Sequence, residues 1–315
     1  MSITTELGRT GHQPPIAALY NRHIAPRARG ARLKYYILVA PALLLSLSVV
    51  LVPAVLTAVA AFTDWNGVAA SASWIGLDNF SSIFADGVFW TALANNIRWM
   101  VLFLTIPMAI GLGAAMLLLR RPRSRTGYQL IFLIPYVLAA ITNALVWLNI
   151  MYSPIAGLVG FLRKQGINAP APLANLQTAL YAVAAVDMWH FWGFLTVVYL
   201  ASLRQTPVDH IEAAHIEGAS GMQLFRYVYF PSIRPTLQLM FVMITIFSFL
   251  SYDYVKLLTG GGPAHSTEVL STYAYTFAFS TFQFGKAAAV GLIMSLFGLL
   301  PAILYTWLSR RDLQA

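Results

Sequence analysis

Long uncharged stretches, separated by short polar ones, set the pattern of this chain. Between Lys34 and Asp64 lie 29 residues without a charge, and between Arg98 and Arg120 another 21. Further uncharged runs cover 126–162, 165–186, 188–203, 235–252 and 287–309. A helix needs about 20 mainly apolar residues to cross the hydrocarbon core. In lipid every backbone N–H and C=O must be satisfied within the protein, which leaves helices as the natural spanning element here. The pattern predicts six spans, near 35–62, 99–119, 129–151, 178–203, 236–253 and 285–308. It thus predicts an all-α membrane protein with one transmembrane domain at 35–309.

The polar segments fill in the rest. Residues 1–34, with Pro14, Pro15, Pro26 and scattered Arg, predict a disordered tail, and 310–315 a short one. The first apolar run follows basic residues, but it is too long for a signal-peptide core of roughly 7–15 residues. A retained helix bent near Pro53 is expected. The loop at 63–95 carries Asp64, Asp78 and Asp86 without Lys or Arg, and its Trp65, Trp74, Phe80, Phe84, Phe89 and Trp90 suit a membrane–water interface. Two more outer loops are expected at 152–175 and 254–284, the last opening with the turn signal Gly260-Gly261-Gly262-Pro263. Gly111-Leu112-Gly113 sits inside an apolar helix and is read as packing.

Composition agrees: 58% hydrophobic and 10% charged residues lie far from a soluble domain's roughly one-quarter charged. The net charge of +9 changes the picture only through its placement. With the amino terminus inside, fifteen basic residues are cytoplasmic and five, Arg98, Arg163, Lys164, Lys256 and Lys286, lie outside or near the outer ends. This is the positive-inside bias, with both termini cytoplasmic; the cations orient the chain and do not imply nucleic acid. The absence of cysteine excludes disulfides, Cys-ligated metals and a Cys nucleophile.

Residues 207–235, PVDHIEAAHIEGASGMQLFRYVYFPSIRP, are a polar interruption between two spans. Pro207 can start a helix, and Asp209 favours its first turn through the helix dipole. Ala213 and Ala214 keep one side narrow for the close approach of another surface. Gly218 and Gly221 flank a turn; Phe225, Val228, Tyr229 and Phe230 give a second helix an apolar face, and Pro231 and Pro235 mark a bend into the fifth span. His210 and His215 are five apart, about 140° around a helix, and do not share a metal readily.

The spacing Glu212-Ala213-Ala214, three residues, Gly218, twelve residues, Pro231 resembles the cytoplasmic loop of ABC importer permeases. Three further segments resemble the sugar-type (maltose and glycerol-phosphate) members: Gly76-Leu77-Asp78-Asn79-Phe80, Leu258-Thr259-Gly260-Gly261-Gly262-Pro263 and Phe284-Gly285-Lys286-Ala287. The long outer domain of the enteric maltose-type subunit is missing. The resemblance implies a type I importer permease fold in a bacterial plasma (inner) membrane. It implies as partners a second permease, two ABC ATPase subunits, an extracytoplasmic solute-binding protein and a sugar-like solute. ATP and Mg would be bound by the ATPase and no cofactor by this chain. Glu212, Ala213, Ala214, Glu217 and Gly218 would couple to the ATPase.

Polar residues inside spans are costly and point to a pathway. Asp187 lies mid-span with His190 one helical turn on. The resemblance places Asp187 where a sugar-contacting amide sits, and Tyr136, Ser248 and Ser251 at solute-facing positions; Asn143, seven residues after Tyr136, is expected on its face. Such groups suit a polyol. Equally, Ser and Asn join membrane helices by hydrogen bonds, and Asp187 with His190 also reads as a buried structural pair. An ion-gradient-driven transporter would use that pair as a relay, but would show paired repeats and interrupted helices, which the sequence does not display. A membrane-embedded enzyme lacks any catalytic spacing.

Overall fold

The computed structural model describes residues 28–312. The tail expected at 1–34 thus lies outside the described residues as far as residue 27, and from Ala28 the backbone is already helical. Two compact units divide at Leu56 and Thr57. In the first, α1 (Ala28–Ser46) enters a π turn (Leu47–Leu51) and continues as α2 (Val52–Ala60), within which the boundary falls. Pro53 lacks an N–H, and its ring crowds the carbonyl four residues back. The wider turn, closed by Val52 N donating to Leu47 O, accommodates it.

The second unit holds the other spans. Its helices are α3 (Asp78–Phe84), α4 (Gly87–Leu119), α5 (Arg125–Val137), α6 (Ala140–Val146), α7 (Leu158–Lys164) and α8 (Ala179–Leu203). After them come α9 (Val208–Ile216), α10 (Gly221–Leu224), α11 (Phe230–Leu250), α12 (Asp253–Leu258), α13 (Leu270–Tyr275) and α14 (Phe284–Asp312). Among the described residues the only strand-like pairing is an isolated bridge between Thr63 and Trp74. Among the described residues five helices are long and apolar enough to cross a membrane, or six if one bent pair is counted as a single span.

Five of the six expected spans are thus present as long apolar helices and the third as a bent pair, with three corrections. The third is not one helix: α5 and the segment Ala140–Met151 meet at 95°, because Leu138 and Ala139 are extended. The second begins at Gly87 rather than near residue 99; Asp86 caps it by accepting from Val88 N at 2.9 Å. The fifth does not bend sharply at Pro231 and Pro235. The chain runs from Gly221 through a π turn at Phe225–Tyr229 into α11. As at Pro53, the wide turn ends two residues before a proline, Pro231, and spares it the clash.

Inside a bilayer helices are not driven together by leaving water, so close packing and interhelical hydrogen bonds hold them. Trp99 and Phe103 of α4 pack with Leu195, Tyr199 and Leu200 of α8 and Ile233 and Ile244 of α11. Gly193 of α8 allows the closest approach: a Cβ there would overlap the Phe132 carbonyl of α5. Gly111 packs against Leu195 and Thr196, as its place in an apolar helix suggests, whereas Gly113 faces open space. Ser202 and Thr236 share a hydrogen bond at 2.8 Å, and Thr206 donates to Ser232 at 3.1 Å; both tie α8 and the turn after it to α11. At the other end, Ile83, Phe89, Phe249, Leu270 and Val290 form a second cluster. There Asn79 donates to the carbonyls of Ala61 and Thr63.

Candidate functional site

Four of the six pathway candidates meet. Tyr136, Asp187, His190 and Ser248 line one cavity of about 220 Å3 with Trp99, Phe103, Phe191, Ile244 and Phe247. It lies where α4, α5, α8 and α11 converge. Asp187 Oδ1 and His190 Nδ1 are 3.9 Å apart, too far for a hydrogen bond, so neither group saturates the other. His190 packs against Tyr136, with ring centroids 5.2 Å apart. The Ser248 hydroxyl donates to Ile244 O at 2.7 Å and keeps its lone pairs as acceptors. The volume is below the 300–1,000 Å3 typical of ligand pockets. It is a small cavity lined by aromatic faces and a few polar groups.

The other two candidates lie elsewhere. Asn143 does not share a face with Tyr136, because the break at Leu138–Ala139 separates them. Asn143 is buried instead and donates to Tyr254 Oη at 2.8 Å. Tyr254 in turn packs edge-on against His190, 5.7 Å between centroids, so Asn143 reaches the cavity at second hand. Ser251 ends α11, and its carbonyl accepts from the Ser271 hydroxyl; it does not line the cavity.

The sequence reading missed the aromatic wall. Trp99 and Phe103, stacked with centroids 5.7 Å apart, are four residues apart on one helical face, and that spacing could have shown it. It also missed Asn95 and Asn96, both fully buried. Asn95 donates to the carbonyls of Ser266 and Glu268. Asn96 donates to Ser248 O at 2.6 Å and accepts from Leu270 N. Two adjacent amides at the edge of an apolar run were the available signal.

The loop at 207–235 folds as two helical segments with a turn between them, as its residues suggested. Pro207 is the residue before α9 rather than its first, and Asp209 lies in the first turn. Gly218 has φ +75°, a left-handed conformation that costs other L-residues about 1–2 kcal/mol. Ser220 and Gln223 form a reciprocal capping box that starts α10. His210, Ala213, Ala214 and Glu217 recur at helical spacing on the face of α9 that looks across an open cleft of about 790 Å3 toward Gln223, Tyr227 and Val228. Gly218 also lines that cleft, but Glu212 does not. Glu212 is on the opposite, exposed face with Val208 and Ile216, the latter 87% exposed. Ala213 and Ala214 thus narrow the wall of the cleft and not the outermost surface.

Residues 108–312 match the family model for binding-protein-dependent transport system inner membrane components. A probable ABC transporter permease protein of Pyrococcus horikoshii is 34% identical over 253 residues, covering 78% of this chain and 86% of the relative. The diacetylchitobiose uptake system permease protein of Streptomyces coelicolor is 32% identical over 262 residues, covering 79% and 74%. In fold, the chain is similar to one from a bacterial alginate ABC transporter solved with an alginate-pentasaccharide-bound periplasmic protein. The TM-score is 0.78, the identity 21%, and the coverage 90% of this chain and 96% of that one. The match over most of the membrane domain, in a fold of long apolar helices, means that the chain belongs to the binding-protein-dependent transport system inner membrane component family, as a permease subunit and not an enzyme.

Proposed function

We propose that the chain is the permease subunit of an ATP-driven importer for a sugar or sugar-like solute in a bacterial plasma membrane. It pairs with a second permease, two ABC ATPase subunits and an extracytoplasmic binding protein, with both termini cytoplasmic. The two-helix loop around Gly218 is the observation that carries this reading. It projects Val208, Glu212, Ile216 and Met222 as an exposed rim, and exposed apolar groups beside a charge suit a partner protein. ATP closes the ATPase dimer, α9 moves with it, and the bundle exchanges inward- for outward-facing states. Coupling of this kind requires each ligand to prefer one global state.

The solute class is supported by the diacetylchitobiose relative and the alginate transporter. It is supported too by the cavity at Asp187, where hydroxyls of a passing sugar would find a carboxylate, an imidazole, a phenol and aromatic faces. The broken third span is an interruption of the kind ion-gradient transporters use, but those have it in paired repeats. Here a single such pair occurs among the described residues.

The test is uptake of a labelled oligosaccharide into proteoliposomes holding the complete complex, with binding protein outside. Uptake should need ATP on the loop side. Accumulation driven by an imposed proton or sodium gradient without ATP would overturn the reading.

A further inference from the structure

Between α4, α11 and α14 runs an apolar groove of about 1110 Å3. Its walls are bulky, built chiefly from Leu104, Met108, Leu237, Phe241, Phe249 and Phe297. Along α11 it extends from Phe230 to Phe249, about 28 Å at 1.5 Å per residue. One leaflet's hydrocarbon is half of a roughly 30 Å core, so the groove is deep enough for the acyl chains of one leaflet.

Polarity is confined to one end. Arg234, Gln238 and Tyr305 line the groove near the coupling loop. Arg234 is exposed and forms no ion pair among the described residues. Farther along, the two hydroxyls are turned back on their own helices. Thr245 donates to Phe241 O at 2.8 Å, and Thr105 to Val101 O at 2.7 Å. The long wall therefore has no free hydroxyl donor for a hydroxylated solute. It also suits a transmembrane helix poorly, since helices in lipid approach across small residues, and Thr105, Ala109 and Thr245 are the only small residues among its bulky lining.

We propose that this groove binds an anionic phospholipid, with its acyl chains along α4, α11 and α14 and its phosphate on the Arg234 guanidinium. A guanidinium meets phosphate oxygens through two parallel N–H donors, and an unpaired one at the polar end of an apolar slot draws the negatively charged lipid from a mixed bilayer. The orientation proposed above makes this the cytoplasmic leaflet.

The experiment is native mass spectrometry of the full transporter complex released from nanodiscs of equal phosphatidylglycerol and phosphatidylcholine. The native protein should retain phosphatidylglycerol preferentially. Arg234→Gln should weaken that retention about fivefold, the effect of one basic residue at an anionic surface, whereas Arg234→Lys should keep most of it. Equal retention of the two lipids by the native protein, or undiminished phosphatidylglycerol on Arg234→Gln, would overturn the site. So would a density map in which a partner subunit's helix fills the groove. Because the readout is bound lipid and not uptake, its failure leaves the importer reading standing, and a failure of ATP-dependent uptake leaves the lipid result intact.

Discussion

Asn96 donates from Nδ2 to the carbonyl of Ser248 at 2.6 Å and so fastens the second span to the fifth beside the cavity. Its Oδ1 simultaneously accepts from Leu270 N, which ties α13 to the same point. Both bonds are buried, where an unpaired group costs about 1–3 kcal/mol. Asn96→Ala should therefore lower the melting temperature of the purified protein markedly. Asn96→Leu, which fills the volume but restores neither bond, should do the same. Melting curves that match the native protein for both variants would show that the amide is idle.

Asp187 lines the cavity with Tyr136 and His190. If it accepts hydrogen bonds from solute hydroxyls, its loss removes a charged contact of about 1.5–3 kcal/mol, roughly tenfold to a hundredfold in transport efficiency. Asp187→Leu should show this drop with assembly unchanged, and Asp187→Asn a smaller one. Uptake by Asp187→Leu at the native rate would assign the Asp187–His190 pair to structure alone.

What the sequence made legible follows from which forces act locally. Five of the spans are plain in the charge-free runs, because the cost of a charge in lipid is paid residue by residue. The break at Leu138–Ala139 is not legible, since neither residue is a Gly or a Pro and Pro135 signals only a kink. That break undid the shared face of Tyr136 and Asn143. Tyr136, Asp187, His190 and Ser248 were found because polar groups are rare mid-span. Trp99, Phe191 and Phe247 were not, because aromatic residues in an apolar helix look alike wherever they point. Asn95 and Asn96 find their partners more than 150 residues away, which no local pattern shows.

At the end of the bundle away from the 207–235 loop, Tyr273 donates to Asp86 Oδ2 at 2.7 Å. Burial pushes the Asp86 carboxyl up, but the Tyr273 hydroxyl, the Val88 amide and the charges of Lys286 and His265 outweigh it and hold it below its ordinary 3.8. A lowered carboxyl pKa gives stability that is present above pH 3.8 and lost as pH falls below it. Tyr273 is raised above its ordinary 10.0, by burial first and by Asp86 second. Its contribution is present below pH 10.0 and fades as pH rises beyond. Thermal melts across pH should thus show both limbs in the native protein. Tyr273→Phe should make the acid limb shallower and remove its share of the alkaline one; identical limbs in the variant would exclude this pair as their source.

Ile216 stands 87% exposed on the outer face of α9, one turn from Glu212. On the proposed reading, an apolar side chain so placed would anchor the ATPase. Ile216→Asp should weaken ATPase binding by about 2 kcal/mol, the scale of an interface hot spot, or roughly thirtyfold. His210→Ala, on the cleft face, should have a much smaller effect. Pull-down of the ATPase by the membrane-inserted permease measures both, and equal retention by Ile216→Asp and the native chain would move the docking surface elsewhere.

Gly218 gives the sharpest test, because sterics and backbone conformation make opposite predictions there. A Cβ added at this position would meet nothing within 4 Å, so crowding alone would tolerate alanine or even valine. The φ of +75° would not: left-handed backbone costs an L-residue about 1–2 kcal/mol, and asparagine is among the few that bear it. More is expected for a β-branched side chain, for which positive φ is a genuine outlier. If the turn must hold α9 in one pose for the ATPase to move it, uptake and solute-stimulated ATP hydrolysis should fall together in the order Gly, Asn, Ala, Val. Basal ATPase activity of the isolated partner would be untouched. A series in which valine performs as well as glycine would mean that the turn is not what transmits the motion.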